Sequence, residues 1–180
     1  MNQITINNTI IELFVGDLVS AQYDAIAIPT NSRLLPSGTL RCRVLKKAGH
    51  KIQLECNQII SKKTNIPIGS AVITSGGNLD AKFIVHARNG HDQKKLMLAT
   101  WNSLRLIDNK GLNSVAFPPM SIEVIGFNAK VCAGIMIPTI QKYILEKNKN
   151  LKNVSICLET LPDYKEFESI LSNITTPNYL

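Results

Sequence analysis

Two stretches of the chain have the make-up of anion-binding loops. Pro29 to Leu40 follows the apolar run Ala25 to Ile28, and Pro118 to Asn128 follows Ser114 to Phe117. Each joins a strand-like run to a helix-like one, where backbone N–H groups can be aimed at a phosphate or carboxylate. Neither loop is diagnostic alone, because a single glycine before a helix is common and usually structural. The three histidines, His50, His86 and His91, fall outside both loops, so neither loop offers an evident general base. The four cysteines, Cys42, Cys56, Cys132 and Cys157, form no C-x-x-C pair, and each sits in an apolar or helical pattern. They are expected to be buried, reduced thiols rather than a metal set or a disulfide framework. No metal ion and no cofactor are expected.

Charge adds a second signal. The net charge is +7. No acid occurs between Asp24 and Glu55, whereas Arg33, Arg41, Arg43, Lys46, Lys47 and Lys51 all do, and Lys62 and Lys63 follow. Such a field suits nucleotides, phosphates or nucleic acid, and it equally suits a solvated face that keeps the protein soluble. No Phe, Tyr or Trp lies between Tyr23 and Phe83. Aromatic platforms for stacking single-stranded bases are therefore missing, and any RNA contact is expected to be weak and steeply salt-dependent.

These residues need elements to hold them. Ile4 to Ile6 and Ile10 to Val15 read as strands around an Asn7-Asn8 turn, and Tyr23 to Ile28 as a buried strand. Leu40 to Ala48 has helical spacing and stops at Gly49; Ile52 to Ile60 continues as a second helix. Ala71 to Thr74, Phe83 to His86, Ser114 to Phe117 and Val154 to Leu158 read as strands. Lys94 to Ile107 reads as a helix with Met97, Trp101 and Leu104 on one face. Asn128 to Glu146 reads as a long helix with Val131, Ile135, Ile140 and Ile144 inward, and Pro138 must kink it or remove a bond. Pro162 to Leu171 is the last helix. Buried strands alternating with amphipathic helices imply helices on both faces of a largely parallel sheet. With 180 residues, 44% of them apolar and 18% charged, one domain spanning 1–180 is expected. No leader and no membrane-length apolar run is apparent, so a cytoplasmic location without membrane contact is expected.

Five motifs in order resemble the macro domain family. Gly16-Asp17-Leu18, then Asp24-Ala25-Ile26 and Asn31-Ser32, are similar to the family's "GDI" and "VDAIVNAAN" opening. Asn31 to Ala48-Gly49 fits its "N…GGGV…AAG" stretch without a gap. Gly69-x-Ala71, Thr74, Gly76, Leu79, Lys82 and His86 resemble its "GxAxxTxGxxL…K…IH" middle, and Phe117-Pro118 to Gly126-Phe127 its "FPxISTGIYGYP" loop. Tyr164 and Phe167 fall where its last helix often carries aromatics. The resemblance implies a three-layer α/β/α sandwich on a mixed, largely parallel sheet, with a cleft for ADP-ribose. It places Asp17 at the adenine, Leu18 beside it, Asn31 at the distal ribose, and Gly38, Ser121, Val124, Ile125, Gly126 and Phe127 along the ligand loops. Asp17 reads equally as a helix N-cap, and Asn31 as a turn-forming residue after a strand.

The departures from the pattern bear on chemistry. Pro36-Ser37-Gly38-Thr39 keeps one glycine of a glycine-rich loop. Arg41 stands where hydrolytic members carry an acid, and an arginine is no base at neutral pH. Ile28 replaces a strand-end Asn, Glu123 a phosphate-cradling glycine, and Glu159 falls near an adenine-stacking aromatic. Arg41 and Glu123 are expected to alter the cleft by pairing across its distal end. The reading is a weakened, non-catalytic module for ADP-ribose or ADP-ribosylated protein, with Asn31 the one catalytic candidate. Two alternatives stay open: a hydrolase of ADP-ribosylated protein or O-acetyl-ADP-ribose, and a degenerate domain that contacts protein or RNA.

Overall fold

The structure, a computed structural model, describes residues 2–90, 92–122 and 126–174. In chain order the elements are β1 (Gln3–Ile6), β2 (Thr9–Val15), a 3-10 turn (Leu18–Ser20), β3 (Ala25–Pro29), α1 (Thr39–Ala48), α2 (His50–Lys63), β4 (Ala71–Ser75), β5 (Phe83–Ala87), α3 (Gln93–Asn109), β6 (Ser114–Phe117), α4 (Ala129–Glu146), β7 (Asn153–Leu158) and α5 (Leu161–Ser172). The strands form one sheet in the order β1-β2-β7-β6-β3-β5-β4. The edge pairs β1/β2 and β4/β5 are antiparallel, and β2/β7, β7/β6, β6/β3 and β3/β5 are parallel. The largely parallel sheet expected from the alternation is therefore present, mixed as the family resemblance implies.

Side-chain alternation along β3 explains the two layers. Ala25 and Ala27 point into a core shared with α3, α4 and α5, whereas Ile26 and Ile28 point into a core shared with α1 and α2. All five residues of the strand are buried, as a strand covered on both faces requires. Full burial of an isoleucine is worth roughly 1.5–3 kcal/mol, so Ile28 is a packing residue that holds α1 and α2 to the sheet.

Helix termini follow local chemistry. Asn128 caps α4 by accepting from the Val131 amide at 2.9 Å, and Asp92 caps α3 by accepting from the Lys95 amide at 2.8 Å. At α5 the Thr160 hydroxyl accepts from the Asp163 amide and donates to its carboxylate, with Pro162 in the first turn.

Three sequence expectations are corrected. On α4, Val131 and Ile135 are only half-buried, while Cys132, Ala133, Met136, Ile137, Ile140, Tyr143 and Ile144 form the inward face. The helix is flanked by α3 and α5 as well as the sheet, so its apolar surface wraps too far round for spacing to fix the face. On α3, Met97 is 41% exposed and Trp101 half-buried, and the buried stripe runs through Leu96, Ala99, Thr100, Ser103, Leu104 and Ile107. Cys42 is exposed; the other three thiols are buried. Pro138 sits inside α4 on its exposed side, so the hydrogen bond it removes is lost where water can replace it. No helix of the described residues is long and apolar enough to cross a membrane.

Candidate functional site

A cleft of about 360 Å³ opens beyond the carboxyl ends of the parallel strands. Leu18, after β2, forms one wall with Cys157 and Glu159 at the end of β7. Pro118, Pro119 and Ile122 come from the loop after β6, and Thr39, Leu40 and Arg43 from the start of α1. Thr160 and Asp163 add the first turn of α5. Two helix N-termini thus converge on it, at the place where open α/β sheets bind ligands. A larger groove of about 550 Å³ lies between α3 and α4, lined by Met97, Leu98, Trp101 and Pro138 among others. It contains no residue of either loop, so the smaller cleft is the candidate site.

At one rim three charges meet. Arg43 Nη2 donates to Asp17 Oδ1 and to Glu159 Oε1, each at 2.8 Å, with all three side chains about half exposed. Glu159 foremost, with Asp17, raises the Arg43 pKa above its ordinary value. Asp17 Oδ1 also accepts from the Val19 amide at 3.0 Å and so caps the 3-10 turn. The N-cap reading of Asp17 is therefore realised, while the carboxylate stays at the cleft rim. Burial, reinforced by the Asp17 and Glu159 charges, pushes the Cys157 thiol up to about 12. It is protonated at neutral pH and serves as wall, not nucleophile.

Asn31 is committed to its own loop. Its Oδ1 accepts from the Arg33 and Leu35 amides, each at 3.1 Å, and its Nδ2 donates to Leu35 O at 2.8 Å and Ser37 Oγ at 3.0 Å. This is the turn-forming role on both faces of one amide. Leu34, between those partners, is buried with φ +57°, a left-handed conformation that L-residues rarely take. Gly38 takes φ +68° at the entry to α1, where a glycine is needed.

Arg41 is not in the cleft. It is 1% exposed and lies beneath the first loop. Its Nε donates to Leu35 O at 2.9 Å, Nη2 to Leu34 O at 2.7 Å, and Nη1 to His86 Nδ1 at 2.8 Å. Because a guanidinium only donates, the donor count assigns His86 Nδ1 as acceptor and Nε2–H as donor to Thr74 Oγ1 at 2.8 Å. The Thr74 hydroxyl in turn donates to Ser75 O at 3.1 Å. Burial, with Arg41 beside it, holds the His86 imidazole well below its usual range and hence neutral. Burial also lowers the Arg41 pKa from a value high enough that it stays charged.

The second loop is described in part. Ser121 is fully buried, with no partner for its hydroxyl among the described residues, and Asn89 donates to the Met120 carbonyl from just after β5. Gly126 has φ +72° and Phe127 packs against the core under α4. Glu123, Val124 and Ile125 lie outside the described residues, and with them the expected Arg41–Glu123 pair. The geometry brings Leu18 and the Asp17 rim together at the cleft; Asn31, Gly38 and Ser121 do not line it, although Gly38 and Ser121 directly precede the lining residues Thr39 and Ile122. Arg43 was missed by sequence reasoning, although helical spacing from Thr39 and Leu40 puts it on their side of α1. No cluster of metal-ligating side chains occurs among the described residues.

Known proteins fit this geometry. The Macro domain family model matches residues 28–136. A Listeria monocytogenes macro domain-containing protein is 35% identical, over 76% of this chain and 82% of its own. A Saccharolobus solfataricus protein is 35% identical over 91% and 93% of the two chains. A mutant Oceanobacillus iheyensis macrodomain with ADPR superposes with a TM-score of 0.88 at 25% identity, covering 94% of this chain and 96% of that one. The fold is an α/β/α sandwich with a cleft at the carboxyl ends of its parallel strands. The chain belongs to the macro domain family.

Proposed function

We propose that this chain is a binding module for ADP-ribose or an ADP-ribosylated protein and does not turn its ligand over. The observation that carries the reading is the cleft where Asp17, Leu18 and the start of α1 meet across the carboxyl ends of β2, β3 and β7. The adenine end belongs at the Asp17 rim, and the diphosphate and distal ribose run towards the first loop. The structure with ADPR of a macrodomain that superposes on this chain supports the ligand class. Two features speak against turnover: Arg41 replaces the acid that the family resemblance expects, and the Asn31 side chain is used up in shaping its loop. A relative from Pantoea vagans, 28% identical over 90% of this chain, is an O-acetyl-ADP-ribose deacetylase, so the hydrolase reading is the one to test against. Calorimetric titration with ADP-ribose tests binding; incubation with O-acetyl-ADP-ribose and with mono-ADP-ribosylated protein tests turnover. Saturable binding without product release is the expected result, and no binding at millimolar ligand refutes the reading.

A second reading rests on the exposed side of α1 and α2. Arg43, Lys46, Lys47, Lys51, Lys62 and Lys63 are exposed there, and Glu55, the sole acid of these helices, is engaged by the Ser75 amide and hydroxyl. A polyanion such as RNA would contact this face through phosphates alone, with affinity falling steeply as salt rises.

A further inference from the structure

The cleft runs against the charge of the chain. The sequence as a whole carries +7, yet the charged residues lining the cleft are Arg43, Glu159 and Asp163, with Asp17 beside them at the rim. Among the described residues, three carboxylates thus face one guanidinium. Two of the three have local duties. Asp17 caps the 3-10 turn through the Val19 amide, and Asp163 accepts from the Thr160 hydroxyl in the first turn of α5, where the macrodipole favours an acid. Glu159 has neither duty. It stands between the end of β7 and the Thr160 cap, and its side chain is 53% exposed. Its partner is Arg43 Nη2 at 2.8 Å, an atom that Asp17 engages at the same distance. Half-exposed pairs of this kind add little stability, so the fold has small need of the second carboxylate.

What Glu159 does for the cleft follows from where it is held. Its Oε1 and Asp17 Oδ1 each lie 2.8 Å from one nitrogen, so the two oxygens are at most twice that distance apart. On the reading above, the adenine amine meets Asp17 and the diphosphate leads towards the first loop. The adenosine ribose is bonded to that base, so its 2′ and 3′ hydroxyls lie within one nucleoside length of both carboxylates. A free hydroxyl is neutral and can donate to a carboxylate, whereas a phosphate ester there brings negative charge and acceptor oxygens. Like charges at this range repel, most strongly at low salt. We propose that Glu159 is a specificity-determining residue that makes the cleft reject adenine nucleotides phosphorylated on the adenosine ribose. The inference rests on the ADP-ribose reading and narrows it to ligands whose adenosine end bears no further phosphate. Arg43 offers the opposite role, since an arginine on a cleft wall is suited to holding phosphate. Here two carboxylates converge on it, and the three groups together keep a net negative charge.

The probes are ADP-ribose and its 2′-phosphate, titrated by calorimetry, and the readout is the ratio of their affinities. Wild type should bind the 2′-phosphate about fivefold or more weakly at low ionic strength, and the ratio should shrink at about 1 M salt, where the Debye length falls to about 3 Å. Glu159→Gln keeps the shape, removes the charge and should narrow the low-salt ratio about threefold. Glu159→Asp keeps the charge and should hold the ratio within about twofold of wild type. Arg43→Met uncovers both carboxylates and should widen it about threefold. Equal affinities for the two probes in wild type overturn the proposal, as does a ratio unmoved in Glu159→Gln. A ratio in Glu159→Asp as narrow as that in Glu159→Gln overturns it too, by assigning the effect to shape. So does a ratio that fails to widen in Arg43→Met, and one that narrows there would make Arg43 a holder of phosphate. Wild-type protein that binds no ADP-ribose removes the ligand reading and this inference together, whereas ADP-ribose binding without discrimination removes only the inference.

Discussion

Replacing Asp17 separates ligand recognition from local structure. Its Oδ1 accepts the Val19 amide at 3.0 Å and Arg43 at 2.8 Å, and the side chain is 51% exposed. Asp17→Ala removes an N-cap worth about 1 kcal/mol and a half-exposed ion pair worth about 0.2–1 kcal/mol. For a protein of this size each kilocalorie lowers Tm by about 2–4 °C, so a fall of roughly 3–8 °C is expected. If the carboxylate also accepts from the adenine amine, its loss costs about 1.5–3 kcal/mol of binding, or roughly ten- to a hundredfold in affinity. Asp17→Asn isolates the second effect, since asparagine caps as well as aspartate but lacks the charge. Its Tm should fall by no more than about 4 °C, from the lost ion pair alone, while ADP-ribose affinity falls about fivefold. Calorimetry and thermal melts on the three proteins supply both numbers. Equal ADP-ribose affinity in wild type and Asp17→Ala would refute adenine anchoring by this residue, whatever the melts show.

His86 sets an acid limit on stability. Its folded pKa is depressed, so the stability it contributes is complete above the unfolded value near 6.5 and is lost as pH falls below that. Denaturant titrations should show a loss approaching about 1.4 kcal/mol per pH unit below pH 6.5, and His86→Gln should flatten that slope; an unchanged slope would assign the loss elsewhere. Thiol labelling of the native protein should find one fast cysteine, Cys42, and three slow ones, with Cys132 held up to about 11 and Cys157 up to about 12; a fast second thiol surviving Cys42→Ser would contradict this. Asn31→Ala removes four loop hydrogen bonds and should cost about 1–3 kcal/mol at this part-exposed place, read as a lower denaturation midpoint. Hydrolysis of ADP-ribosylated protein by the wild type that vanishes in Asn31→Ala would instead make Asn31 catalytic.

The sequence made β3 legible because Ala25, Ile26, Ala27 and Ile28 must all be buried between two layers, and only a central strand does that. The N-cap role of Asp17 was legible because its short carboxylate can accept from an amide two residues on. Arg41 was legible as a departure but not as a position, since spacing places a Cα and not the far end of a long side chain. The same limit hid the Arg43 bridge, which depends on where Asp17 and Glu159 come together after the 141 intervening positions of chain have folded. The face of α4 escaped reading because three neighbours bury it and its apolar residues no longer mark one direction.

β7 lies between β2 and β6, not at an edge. The strand made last therefore fills the middle, and Glu12 meets Ser155 across 143 residues of chain. During synthesis β2 has no parallel neighbour until residues 153–158 clear the ribosome, and until then β1 and β2 form only a hairpin beside an open sheet. Pairings this distant in the chain close late. A ribosome stalled before residue 153 would hold a half-sheet with two exposed inner edges, a species prone to aggregate and in need of chaperone cover. The Glu159 rim and the first turn of α5 emerge later still, so the cleft cannot form before residue 163 has been made.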